Sequence, residues 1–282
     1  MPRIVGGCAG GALFDGDVSA QSALADHVAA TVLAQPRGAT FYKTGDLRFE
    51  GQSALAVYQM TILGLGQILL EHPEKRDAYL PAIREAADRL VDPATLSYAA
   101  RVYGQHASAR MDAGAGHAYA GYINLALGML RLVDPETKHA KLHDRLSEAL
   151  RTRLFRSPQG LIETYPGETW PPDVAVVAGS IGLHAKATGL DLTNELSTWA
   201  ERFERCSVHA SGYLIQRVRT GTCTPLDAPR GSGTAIASYA IAFAHPALAR
   251  RLHDALVKNG RVPLFGLAGL REYADGFGGQ GD

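Results

Sequence analysis

The sequence predicts an all-α fold, an α/α toroid of repeated helical hairpins, and three observations predict it. Apolar and amphipathic stretches of helical period alternate along the 282 residues. The same Pro- or Gly-containing punctuation separates the members of each pair. Long polar loops recur before the apolar members. Pro73, Pro135, Gly189 and Pro246 mark the four junctions, at steps of 62, 54 and 57 residues. Open helical solenoids repeat every 34 to about 47 residues. The surplus here falls in entry loops 35–51, 93–115, 157–172 and 207–231, which would gather at one rim around a pocket.

Residues 1–18 read as an irregular segment, 19–275 as the toroid and 276–282 as a Gly-rich tail. The first helix, Ser19–Ala34, follows a Ser N-cap signal. Gln52–Leu70 is apolar and reads as buried. Ser53–Leu70 approaches membrane length, but Gln59 and Gln67 interrupt it and no basic cluster flanks it, so a core helix is expected and no transmembrane span. Lys75–Val91 follows, with Arg76, Asp77, Arg84, Glu85, Asp88 and Arg89 on a solvent face beside Leu80, Ile83, Ala87 and Leu90.

The pairs then repeat as Gly116–Leu132 with Thr137–Leu154, Asp173–Ala187 with Leu192–Arg205, and Ser232–Ala244 with Pro246–Lys258. Proline in the first turn of three amphipathic members is favourable, because its missing N–H has no partner there. Gly212–Val218, inside the last entry loop, reads as a short hairpin strand. Four apolar inner helices fall short of the six in a closed six-hairpin toroid. The ring is therefore either open, or closed by another chain or by further residues, and a homo-oligomer or a partner chain is expected.

Composition narrows the function classes. Lys plus Arg and Asp plus Glu both number 28, so no basic excess points to nucleic acid and no charge block to a membrane surface. Cys8, Cys206 and Cys223 form no CxxC or Cys/His cluster and are expected as small buried residues or free thiols, not as a disulfide framework. Val5-Gly6-Gly7-Cys8 looks like a lipobox, but seven residues are too few for a charged segment and an apolar core. As written, the chain reads as cytoplasmic; an upstream signal would move it to the cell envelope.

Glu163, Tyr165, Glu168, Trp170 and Asp173 form the densest cluster of chemistry-bearing residues, shaped by Pro166-Gly167 and Pro171-Pro172. Asp173 heads an apolar helix, where capping is its simplest role and catalysis the other. Glu168, beside Trp and Tyr, would be partly desolvated and act as a general acid. His117, at the start of another apolar helix, is either a base facing the same mouth or a ring bonded to the helix end. Tyr122, one turn after Tyr119, lines the pocket or packs. Arg230 either clamps an anion beside Gly231 and Gly233 or pairs with Asp227, the simpler expectation. Asp46 offers a further carboxylate. No metal or other cofactor is expected: His139 and His143 fall on the exposed face of an outer helix, and no HExxH, Walker or nucleophile-elbow motif occurs.

Two segments, Gly116-His117-Ala118-Tyr119-Ala120-Gly121-Tyr122-Ile123-Asn124-Leu125-Ala126-Leu127-Gly128 and Tyr165-Pro166-Gly167-Glu168-Thr169-Trp170-Pro171-Pro172-Asp173, carry a resemblance. The layout resembles the (α/α)6 barrels of several glycoside hydrolases and uronyl epimerases, and these segments resemble a bacterial group near linalool dehydratase/isomerase. That resemblance implies a metal-independent hydrolase, lyase or isomerase acting by acid/base chemistry on a carbohydrate or small alcohol. Linalool dehydratase/isomerase is thought to work with cysteines as well, and neither segment contains one. Glu168 would exchange the proton with His117 or Asp173 as counterpart, and Tyr165 and Trp170 would wall the site. Tyr122, Arg230 and Asp46 would contact the small-molecule substrate. The competing expectation is a non-catalytic binding or assembly module completed by a partner chain.

Overall fold

The computed structural model describes residues 11–13, 15–36, 45, 47–97, 118–264 and 267–274. It is mostly helical, with four short strands among the described residues. The chain divides into two compact units, residues 1–110 with 129–140, and residues 111–128 with 141–282. His117, Asp46, the entry loop at 98–115 and the Gly-rich tail lie outside the described residues.

In the first unit, α1 (Val18–Ala34) is capped by Asp17, whose carboxylate accepts the Ala20 N–H at 2.8 Å, so the cap precedes the Ser19 signal. Helix α2 (Leu47–Glu71) starts earlier than its apolar run and is followed by a 3-10 turn (Pro73–Lys75) and α3 (Arg76–Leu90). Leu55, Tyr58, Ile62, Leu63, Leu65 and Leu69 of α2 are buried, as are Leu80, Ile83, Ala87 and Leu90 of α3. Each fully buried Leu or Ile contributes about 1.5–3 kcal/mol. Gln52–Glu71 is long and apolar enough to cross a membrane by length and composition, and 56% of its apolar window is buried inside the protein.

Residues 133–139 are held to α3 by charge. Arg84 donates Nε and Nη2 to the two oxygens of buried Asp134, both at 2.8 Å, and Arg76 donates to the Val133 carbonyl. Burial acts to raise the Asp88 pKa, but Lys138 and His139, each 2.8 Å away, outweigh it and hold the carboxyl below its ordinary value.

The second unit contains α4 (Ala118–Val133) up to Gly128, α5 (Ala140–Arg156) from Lys141, α6 (Pro171–Thr188), α7 (Thr193–Ser207), α8 (Gly231–Ile241) and α9 (Pro246–Gly260). Gly189, at φ 74°, ends α6 by donating its N–H to Ala185, and the His245 ring caps α9 by accepting from the Leu248 N–H. Strand β1 (Leu214–Ile215) lies in the expected hairpin segment and pairs antiparallel with β2 (Pro229–Arg230). Strands β3 (Arg261–Leu264) and β4 (Leu267–Leu270) form a second hairpin.

The apolar helices α4, α6 and α8 pack parallel through glycine. A Cβ on Gly121 would meet Val177 and one on Gly128 would meet Leu183, so both helices advance in the same direction. Gly179 faces the Ala240 backbone and Gly182 the Phe243 carbonyl, which gives α6 and α8 the same relation. Backbone this close leaves no room for a side chain. A buried polar triad crosses the same layer: Asn124 Nδ2 donates to Ser147 and Ser180 at 3.0 Å each, and Ser147 donates back to Asn124 Oδ1 at 3.1 Å. Helix α8 leaves an apolar stripe in solvent, with Ile236 46% and Tyr239 37% exposed between Ala235 and Ala242.

The structure departs from the sequence expectation at a cysteine pair and at a histidine. Cys206 and Cys223 form a disulfide, with Cα atoms 4.9 Å apart, because the chain leaving α7 doubles back and returns residue 223 to the helix end. His143 is fully buried, not on an exposed face; it lies edge-on to His184 at 4.8 Å, and His184 Nε2 is 2.9 Å from Asp144. His139 precedes α5 instead of sharing a helix face with His143.

Candidate functional site

The N-terminal ends of α4, α6 and α8 face the same way, and the loops entering α6 and α8 meet beside them. Thr164–Trp170 folds as a tight turn: Glu168 N–H donates to the Tyr165 carbonyl at 2.9 Å, and Gly167 takes φ 78°, which suits a residue without Cβ. Thr164 Oγ1 accepts the Trp170 N–H at 3.0 Å, fixing Trp170 as the N-cap residue of α6. The second loop docks on this turn, with Val218 N–H donating to the Thr169 carbonyl at 3.0 Å and Thr220 Oγ1 to that of Gly167 at 3.0 Å.

Asp173 stands in the first turn of α6, directly after Pro171-Pro172. No side chain caps α6, so Asp173 does not perform the capping role that its position suggests. Its Oδ1 instead accepts the Tyr122 hydroxyl at 2.6 Å, a short charge-assisted bond. Asp173 is half-buried, so part of its surface stays accessible. Burial raises its pKa from 3.8 to about 6, against the Tyr122 hydrogen bond, which lowers it. A carboxyl titrating near 6 can give or take a proton close to neutral pH.

Glu168 occupies a different setting. It is exposed on the turn, not desolvated, and accepts the Trp170 Nε1–H at 2.9 Å. Tyr165 forms the opposite side of that turn, bridged to Glu168. The Arg217 guanidinium lies 5.5 Å from the Trp170 ring centroid, within cation–π range. The expected Asp227–Arg230 pair does not form: Asp227 Oδ2 is 3.1 Å from Arg217 Nε, while Arg230 lies over Tyr273 at 5.4 Å. The reason is local. Paired strands carry Arg217 back alongside Asp227, whereas Arg230 bridges Tyr273. Glu272, next to Tyr273, takes the Ser232 hydroxyl at 2.6 Å and its N–H at 2.9 Å, so the protein's own carboxylate occupies the start of α8 that the sequence offers to an anion.

The structure thus brings Tyr122 to Asp173 and places Tyr165, Glu168 and Trp170 on the adjoining turn, with Arg230 on the neighbouring strand. Arg217 and Gln216 escaped the sequence reading. A Cβ on Gly233 would strike both Gln216 Oε1 and Pro172, so the amide fills the gap between α8 and the start of α6. The alternation of Gly212–Val218 was the available signal, since neighbouring strand residues point to opposite faces. Among the described residues, no group of three His, Cys, Asp or Glu side chains is placed to hold a metal ion. No protein-family model matches the chain, and no curated protein compared with it matches.

Proposed function

We propose that the second unit carries an acid/base site belonging to an α/α toroid, acting without a metal on a carbohydrate or small alcohol, by hydrolysis, elimination or isomerisation. One observation carries the reading: the half-buried Asp173 carboxyl, its pKa pushed up to about 6, is bonded to a phenol rather than used as a helix cap. Asp173 exchanges the proton with a substrate hydroxyl or leaving oxygen. Tyr122 holds the ionised form in place and donates to oxygen as charge moves. Trp170 and Tyr165 shape the wall, and exposed Glu168 contacts substrate from the turn. The parallel apolar helices and the two segments that resemble the linalool dehydratase/isomerase group support the same architecture.

Thermal melting with neutral sugars, uronic acids and terpene alcohols identifies the substrate class, because a ligand bound only to the folded state raises Tm. One class is expected to stabilise the wild type. Asp173→Asn should abolish its turnover, and Glu168→Gln should weaken it less. Turnover by Asp173→Asn at the wild-type rate refutes the assignment.

A second reading, an assembly module completed by another chain, is favoured by the exposed Ile236–Tyr239 stripe. Sedimentation as a monomer across the concentration range opposes it.

A further inference from the structure

We infer that Cys206–Cys223 is a thiol–disulfide exchange site that latches the arm of residues 216–228, taking a small dithiol or a dithiol protein as its reductant. The proposal concerns the arm and stands independently of the chemistry assigned to Asp173. Cys206 is 3% exposed in the last turn of α7, whereas Cys223 is exposed beyond the tip of the arm. Of the two half-cystines, Cys223 is therefore the one open to an attacking thiolate, and access governs which disulfides exchange.

The arm is a narrow hairpin. Leu226 N–H donates to the Arg217 carbonyl at 2.9 Å, Arg219 N–H to Thr224 at 2.9 Å, and Gly221 turns the tip at φ 74°. Its noncovalent anchors beyond Val218 are few among the described residues. Thr220 bonds Gly167 and Thr169, and Gln159 donates to the Gly221 carbonyl at 3.3 Å. Arg219 and residues 223–226 are exposed. A segment with little apolar burial and solvent-exposed hydrogen bonds opens before the rest of a protein does. The disulfide is thus the covalent tie on a weakly held arm, and the arm carries Arg217 over Trp170.

The exchange balances. A reagent thiolate attacks Cys223 Sγ, the S–S bond breaks, and Cys206 leaves as a thiolate. The reagent's second thiol then displaces Cys223 and closes the reagent's own disulfide. Two electrons pass to the protein, and the two protons from the reagent thiols finish on Cys206 and Cys223.

The test is tryptic cleavage after Arg219 in the full chain, before and after reduction with dithiothreitol, read on reducing gels because the disulfide spans the cut. Thiol titration must rise by two on reduction. Cleavage after Arg219 should then accelerate at least tenfold, far-UV circular dichroism should stay unchanged, and oxidised dithiothreitol should restore the slow rate. Cys223→Ser should cleave fast with or without reductant. Reduced protein cleaved at the oxidised rate overturns the proposal, as does helix loss accompanying arm release, which would make the bond a staple of the whole unit. If Cys223→Ser fails to fold, the wild-type reduction experiment decides alone.

Discussion

Replacing Asp173 by Asn should stabilise the folded protein at neutral pH while removing its proposed activity. The Asp173 carboxyl moves from 3.8 to about 6 on folding. At 1.36 kcal/mol per unit, that shift is worth about 3 kcal/mol. Its sign follows from proton binding: between those pH values the folded state holds the proton more tightly than the unfolded chain. The favourable contribution is fully present below 3.8 and is lost as pH rises through about 6. At pH 7 the wild type therefore carries the whole burden of a buried anion. Asn keeps the shape and can accept the Tyr122 hydroxyl, but its amide hydrogens need partners at a cost of about 1 kcal/mol or more. A net gain of about 1–2 kcal/mol at pH 7 remains, roughly 3–6 °C in Tm for a unit of this size. Melting curves of both proteins from pH 4 to pH 7 provide the assay, since their difference cancels the other titrating groups. The Asn variant should lose its advantage near pH 4. A variant destabilised equally at every pH would refute the reasoning, because Asp173 would then be a satisfied structural carboxylate.

Two further perturbations address the same framework. Tyr122→Phe removes the bond that lowers the Asp173 pKa, so carbon-13 titration of that carboxyl should move above about 6, with a loss of about 1–2 kcal/mol at pH 7. Gly179→Ala forces a methyl group into the Ala240 backbone and should cost about 2 kcal/mol or more in thermal melts, whereas Gly64→Ala, which meets nothing within 4 Å, should be neutral or stabilising by up to about 1 kcal/mol.

The helices were legible because period and punctuation are local properties. Pro246 begins α9 and Gly189 ends α6 where the sequence places them. The candidate site was legible as a neighbourhood but not in its roles. Glu168 and Asp173 have similar residues around them, and only the fold puts one on an exposed turn and the other beneath protein. Its partner Tyr122 lies 51 positions away, a distance no local pattern spans. The disulfide was hidden for a related reason: its half-cystines stand 17 positions apart, across a helix end and a hairpin tip. His143 was misplaced because a polar residue on an amphipathic helix suggests solvent, whereas here it packs against His184.

The Asn124–Ser147–Ser180 triad has a consequence for how this sequence can drift. Its three members sit on different helices and complete one another's hydrogen bonds. Losing Asn124 strands the Ser147 hydroxyl and losing Ser147 strands the Asn124 carbonyl oxygen in a dry layer, at about 1–3 kcal/mol for each orphaned group, whereas the Ser180 hydroxyl keeps the Val177 carbonyl. Replacing all three together with apolar residues of matching volume can be nearly neutral. The viable route between polar and apolar versions therefore runs through less stable intermediates, and these positions should change as a set or stay as they are. Because the layer also fixes how each helix is rotated about its axis, a one-residue slip of any of them would break the set at once. The triad thus acts as a register key between the amphipathic helix α5 and the apolar helices α4 and α6.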